Sequence, residues 1–171
     1  MSNPSFEDLA RTPDGWISVA RRLHAAAHTL WQAADFERPP TRDPAYRPRA
    51  VPEAVKDGAF VAIGLAGLAL ENLAKALLIC RDPSLVSNSH GLSKRLTKHT
   101  LLKLVTATGI QLYPEERAFL FRAEGFVIWS SRYPVPRGPV PPPVEQTMGI
   151  SDDFEVFDAI YNRLLSALRG A

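Results

Sequence analysis

The sequence predicts an all-α protein, an up-and-down bundle of four to five helices with two proline-rich extended connectors. Three observations predict it. Apolar residues recur at three- and four-residue intervals in several segments, a spacing that places them on one face of a helix. From Ala59 to Leu70 every residue is apolar or glycine, the pattern of a helix enclosed by its neighbours. No segment alternates apolar and polar residues as a half-buried strand does.

Residues 1–11 read as a loose leader. A first helix is expected over residues 12–36, with Thr12 as cap, Pro13 in the first turn and Asp14 facing the positive end of the dipole. Its apolar stripe is Trp16, Ala20, Leu23, Ala27, Leu30, Trp31 and Ala34, with Arg21, His28 and Gln32 on the wetter side. Residues 37–52 hold five prolines, which remove backbone donors and block helix, so an extended connector is expected there. The second helix, residues 53–80, carries the long apolar run. Gly64 and Gly67 share a face with Glu71, and each glycine costs roughly 1 kcal/mol of helix stability against alanine, so close approach of another helix is the expected compensation.

Residues 83–98 are polar and serine-rich and read as a loop or short helical turns. A third helix, residues 99–108, ends at Gly109 in the left-handed cap position, with Ile110 closing the end by apolar contact. A fourth starts at Pro114 with Glu115 and Glu116 in its first turn and runs to residue 130. Six prolines between residues 134 and 143 mark the second extended stretch, which reaches residue 150. The last helix, residues 151–168, carries Phe157, Ile160, Tyr161, Leu164 and Leu168 on one stripe. With 171 residues and 46% hydrophobic content, the chain is expected to form one domain with a substantial core.

The lone cysteine, Cys80, permits no intrachain disulfide, and the opening residues lack the basic-then-apolar pattern of a secretory signal, so a cytoplasmic setting is expected. The twelve-residue apolar run is too short to span a bilayer, and no membrane association is expected. Net charge is only +2, but residues 81–110 set five cations (Arg81, Lys94, Arg95, Lys98 and Lys103) against the single acid Asp82. Such a patch is either a solvated face or a phosphate-contact site in which Lys94, Arg95, Lys98 and His99 reach one backbone.

No phosphate loop, dinucleotide fingerprint, nucleophile elbow or paired-cysteine metal site is present in the sequence. His24 and His28 have a spacing that suits zinc, but no acidic or cysteine-rich partner accompanies them. They read as packed histidines, and no metal and no cofactor is expected. Glu71, at the inner end of an apolar helix, needs a cationic partner if buried. Lys75, one turn on, and Arg132 are the candidates, either as a structural ion pair or as part of a nucleotide or RNA cleft.

Read in order, the segment from Leu70-Glu71-Asn72-Leu73 to Ala74-Lys75-Ala76-Leu77-Leu78, then His99-Thr100-Leu101-Leu102-Lys103-Leu104, then Pro114-Glu115-Glu116, then Arg132-Tyr133-Pro134 resembles the HEPN superfamily of prokaryotic helical-bundle proteins, abortive-infection relatives included. The resemblance spans about residues 55–135. It implies a helical bundle, often a homodimer, at work in toxin–antitoxin, phage-defence or other conflict systems. Some members are metal-independent endoribonucleases using an arginine and a histidine four to six residues apart. Arg22 and His28 meet that spacing, but on the first helix, where the family does not usually carry the motif; Arg95 and His99, with three residues between them, are the best remaining pair. The expected function is a binding or assembly module for RNA, a nucleotide, an antitoxin or a defence partner protein. The alternatives are an endoribonuclease built on Arg95 and His99, and a purely structural helical protein.

Overall fold

The apolar run from Ala59 to Leu70 lies within the longest helix of the protein, α2 (Glu53–Arg81), and supplies the centre of the core. The computed structural model describes residues 10–33, 53–87, 91–97, 99–127 and 153–171. Around α2 stand α1 (Pro13–Ala33), α4 (Leu101–Ala107), α5 (Pro114–Gly125) and α6 (Asp153–Arg169), all packed against it. A four-residue helix, α3 (Lys94–Thr97), precedes α4. The protein is therefore mostly all-α, as the apolar periodicity predicts, with six helices among the described residues. The two proline-rich connectors, residues 37–52 and 134–150, lie outside them, as do Ala34, Lys98, Trp129 and Arg132.

Ile63, Leu70, Leu73 and Leu77 of α2 meet Leu101 of α4, Phe119 and Leu120 of α5, and Phe157, Ile160 and Leu164 of α6 in one continuous buried cluster. Each such side chain contributes roughly 1.5–3 kcal/mol through removal from water. Gly58–Arg81 is the one stretch among the described residues long and apolar enough to cross a membrane, and 78% of its most apolar window is buried inside the fold. Enclosure by four helices accounts for that apolarity.

The structure departs from the sequence expectation at several points. Ala10 and Arg11 do not belong to a loose leader: Ala10 is buried, its carbonyl accepts from Trp16 Nε1, and the Arg11 guanidinium donates twice to the Val86 carbonyl. Residues 83–87 and 91–97 hold the short helical turns that the sequence allows and, beyond the expectation, two short strands. A 3-10 turn (Pro83–Leu85), with Asp82 accepting from the Ser84 backbone N–H, leads into two antiparallel strands, β1 (Val86–Ser87) and β2 (Gly91–Leu92). Val86 pairs with Leu92 and Ser87 with Gly91, and Gly91 takes the left-handed φ of +66° that a tight return requires. The third predicted helix begins at Leu101 rather than residue 99, because Glu124 of α5 accepts from the Leu102 N–H and so defines the first turn. It ends as expected at Gly109, with φ +74°, and Arg81 donates to the Thr108 carbonyl at the negative end of the dipole. α5 gives way at Phe126–Val127 to a wider π-helical turn.

That turn explains the glycines. A Cβ on Gly67 would lie 2.7 Å from Val127 Cγ2 and 3.4 Å from Ala123 Cβ, whereas one on Gly64 would lie 3.7 Å from Phe126 Cβ, an ordinary contact. The end of α5 thus approaches α2 over its small face. Gly67→Ala is expected to destabilise, because overpacking against a stiff β-branched neighbour costs about 1–3 kcal/mol and exceeds the helix-propensity gain of roughly 1 kcal/mol. Gly64→Ala keeps that gain with no clash and is expected to stabilise slightly. Paired urea denaturation curves that move both variants in the same direction would refute this account of the α2–α5 contact.

Candidate functional site

The helical repeat of α2 places Glu71 and Lys75 one turn apart on the same buried face. Lys75 Nζ donates to Glu71 Oε1 at 2.5 Å and lies 5.9 Å from the centre of the Trp16 ring. The second partner of Glu71 is His99, just ahead of α4, whose Nδ1 is 3.0 Å from Oε1 and 3.2 Å from Oε2. An ionised carboxylate only accepts, so in this pairing the proton sits on Nδ1 and Nε2 is the nitrogen left for other work. The His99 side chain is 42% exposed while its Glu71 partner is buried, so the pair runs from the interior to the surface. A buried carboxylate holding an accessible imidazole in one tautomer can orient a proton-transfer group, and it can equally pin a loop to a helix.

Beside this pair, α3 and α4 form a basic cleft of about 350 Å³ lined by Lys94, Arg95, Thr100, Lys103, Leu104 and Ala107. Lys103 and Ala107 are one turn apart on α4, and the short α3 sets Lys94 and Arg95 across from them. Three cationic side chains and no acidic one line the cleft, so it suits an anion.

The structure thus brings the sequence-predicted residues together in two groups: Glu71 and Lys75 with His99, and Lys94 and Arg95 with Lys103. It does not join Arg95 to His99. His99 is absent from the cleft lining, although Thr100 beside it is present. Lys98 and Arg132 lie outside the described residues, and within those residues Lys75 and His99 are the partners of Glu71.

A third grouping does not follow from the sequence pattern. His28, expected on the wetter side of α1, instead faces α6, where its Nε2 lies 2.9 Å from Asp158 Oδ1. His24 Nε2 lies 2.9 Å from the same oxygen. Asp158 directly follows the buried Phe157 at the edge of the α6 apolar stripe, and no sequence signal pairs it with α1. The other unexpected pairing is that of Glu116, which reads as an ordinary first-turn acid but is buried against Arg163 of α6.

Fold and site together define a helical protein with a basic cleft beside a buried carboxylate–histidine pair. No family model, no curated protein and no solved structure matches the chain.

Proposed function

We infer that the chain is a helical RNA-binding module whose α3–α4 cleft takes the phosphate backbone. The observation that carries this reading is the convergence of Lys94, Arg95 and Lys103 on one cleft that no acidic side chain lines. Arginine's planar fork and two lysine point charges are the groups that phosphate recognition uses. The HEPN resemblance of the sequence is in keeping with this reading, and we propose on it a homodimer in a bacterial defence or toxin–antitoxin setting. Phe121 of α5, 60% exposed, and Val61 of α2, 52% exposed, are apolar surface that self-association would cover.

Fluorescence anisotropy with a single-stranded RNA tests the reading. Affinity should fall steeply with salt, because bound phosphates release counterions. Replacing Lys94, Arg95 and Lys103 together by Ala should weaken binding and flatten the log–log salt slope by about 2, at roughly 0.7 for each phosphate no longer neutralised. Equal affinity and slope in the triple variant would sink the proposal.

One observation favours a second reading, an endoribonuclease: the His99 imidazole is held by a buried carboxylate. His99 would then act as general acid or base, and Arg95 would stabilise the charged phosphate. Binding without cleavage is the expected result, since Arg95 and His99 are not brought together. Metal-independent cutting that falls roughly 100- to 10,000-fold in His99→Ala would select the enzyme instead.

A further inference from the structure

We propose that His24, His28 and Asp158 form a binding site for one divalent transition-metal ion of the zinc class, clamping α1 to α6. Nothing in the RNA-binding reading requires this cluster, and it stands on separate observations.

The first observation is convergence. Two imidazole Nε2 atoms each lie 2.9 Å from one carboxylate oxygen, Asp158 Oδ1, and the three ligand atoms all lie within 4.8 Å of one another. Histidine nitrogens and carboxylate oxygens bind such ions at about 2.0–2.2 Å. At that bond length, neighbouring ligands stand roughly 3.0 Å apart at a right-angle corner and roughly 3.4 Å apart in a tetrahedron. To admit a tetrahedral ion, the two histidine–aspartate contacts need to open by about half an ångström, and the two Nε2 atoms, within 4.8 Å of one another, to close by up to about 1.4 Å.

The second observation is support. A four-residue spacing puts both histidines on one face of α1, and aromatic packing limits how far their rings can turn. The His24 ring centre is 4.1 Å from that of Tyr161, 5.2 Å from Phe157 and 4.5 Å from His28. Phe154 meets His28 edge-on at 5.2 Å. The two imidazoles are thus held by helix and core before any ion arrives, which lowers the cost of binding.

The third observation is access. All three side chains are half-buried, so a fourth ligand position can be filled by water. Two imidazoles and one carboxylate suit Zn²⁺, Co²⁺ or Ni²⁺, and disfavour Mg²⁺ and Ca²⁺, which prefer all-oxygen sites. Three protein ligands with an open position is the arrangement of reactive rather than closed structural zinc sites. Arg21 is the opposing charge near Tyr161, but it is exposed and screened. The sequence expectation of no metal rests on the want of a third donor, and that donor arrives from 130 residues downstream of His28.

The test uses the untagged full chain, stripped with chelator and titrated with Zn²⁺ by calorimetry and with Co²⁺ by visible absorption. One ion per chain is expected, with a rise in melting temperature and d–d bands of a four- or five-coordinate ion. Asp158→Asn and His28→Ala should each weaken binding at least tenfold, whereas Cys80→Ser should leave it unchanged. Imidazole NMR of the unaltered protein reads the site without any variant: Zn²⁺ should shift the rings of His24 and His28 and spare those of His90 and His99. No saturable binding at about 100 micromolar ion, equal affinity in both ligand variants, or shifts at His90 or His99 instead would each overturn the proposal.

Discussion

Glu71→Ala is expected to lower the melting temperature by roughly 10 °C. The estimate comes from about 3–5 kcal/mol for breaking a buried ion pair and about 2–4 °C per kcal/mol in a chain of this size. Glu71 and Lys75 are both buried, and Lys75 Nζ is 2.5 Å from Glu71 Oε1. Without the carboxylate, the ammonium keeps the Trp16 ring, at 5.9 Å, as its partner among the described residues. His99→Ala removes the other partner but leaves the carboxylate its lysine, so it should cost no more than about 1 kcal/mol. Replacing Glu71 and Lys75 together by Leu and Met should recover most of the loss, because a well-packed apolar pair often matches a buried ionic one. Thermal melts followed by circular dichroism check all three, and an unchanged midpoint in Glu71→Ala would show that the carboxylate is hydrated.

How much of this is legible in the sequence depends on range. The helices α2, α4, α5 and α6 follow from local periodicity and caps, and Gly109 lies in the left-handed position its neighbours demand. The Glu71–Lys75 pair is legible because a helix sets residues four apart side by side. Contacts made by folding are not legible. His99 reaches Glu71 across 28 residues, and Asp158 reaches His24 across 134. Nothing in a linear pattern distinguishes the half-buried His28 from the exposed Gln32, both on the expected wetter side of α1, until α6 is placed against that helix. The π-helical turn at Phe126–Val127 is likewise a tertiary effect: the end of α5 lies against the small face of α2 at Gly67.

The same limit hides Glu116, whose ion pair carries the second large effect. Arg163→Ala is expected to destabilise by about 3–5 kcal/mol, and Glu116→Gln by about 2 kcal/mol or less. The asymmetry follows from burial. The Glu116 side chain is 4% exposed and that of Arg163 30%. Glu116 Oε2 accepts from the Tyr113 backbone N–H at 2.9 Å, and both terminal guanidinium nitrogens of Arg163, Nη1 and Nη2, donate to the carboxylate, joining the start of α5 to α6. Removing the guanidinium leaves a buried charge with the Tyr113 amide as its partner among the described residues. Glutamine keeps an acceptor for Tyr113, and the more exposed guanidinium can turn to water. Urea denaturation gives both values, and Glu116→Gln costing more than Arg163→Ala would reverse the argument. The pH dependence follows in sign. The hydrogen bond to Glu116 pushes Arg163 above its ordinary value, so its contribution is fully present below that value and is lost only as pH rises past the raised one. The stability difference between the natural protein and Arg163→Ala should therefore be the same at about pH 7 and about pH 9. A difference that shrinks between them would mean that the pair is not what holds these two helices together.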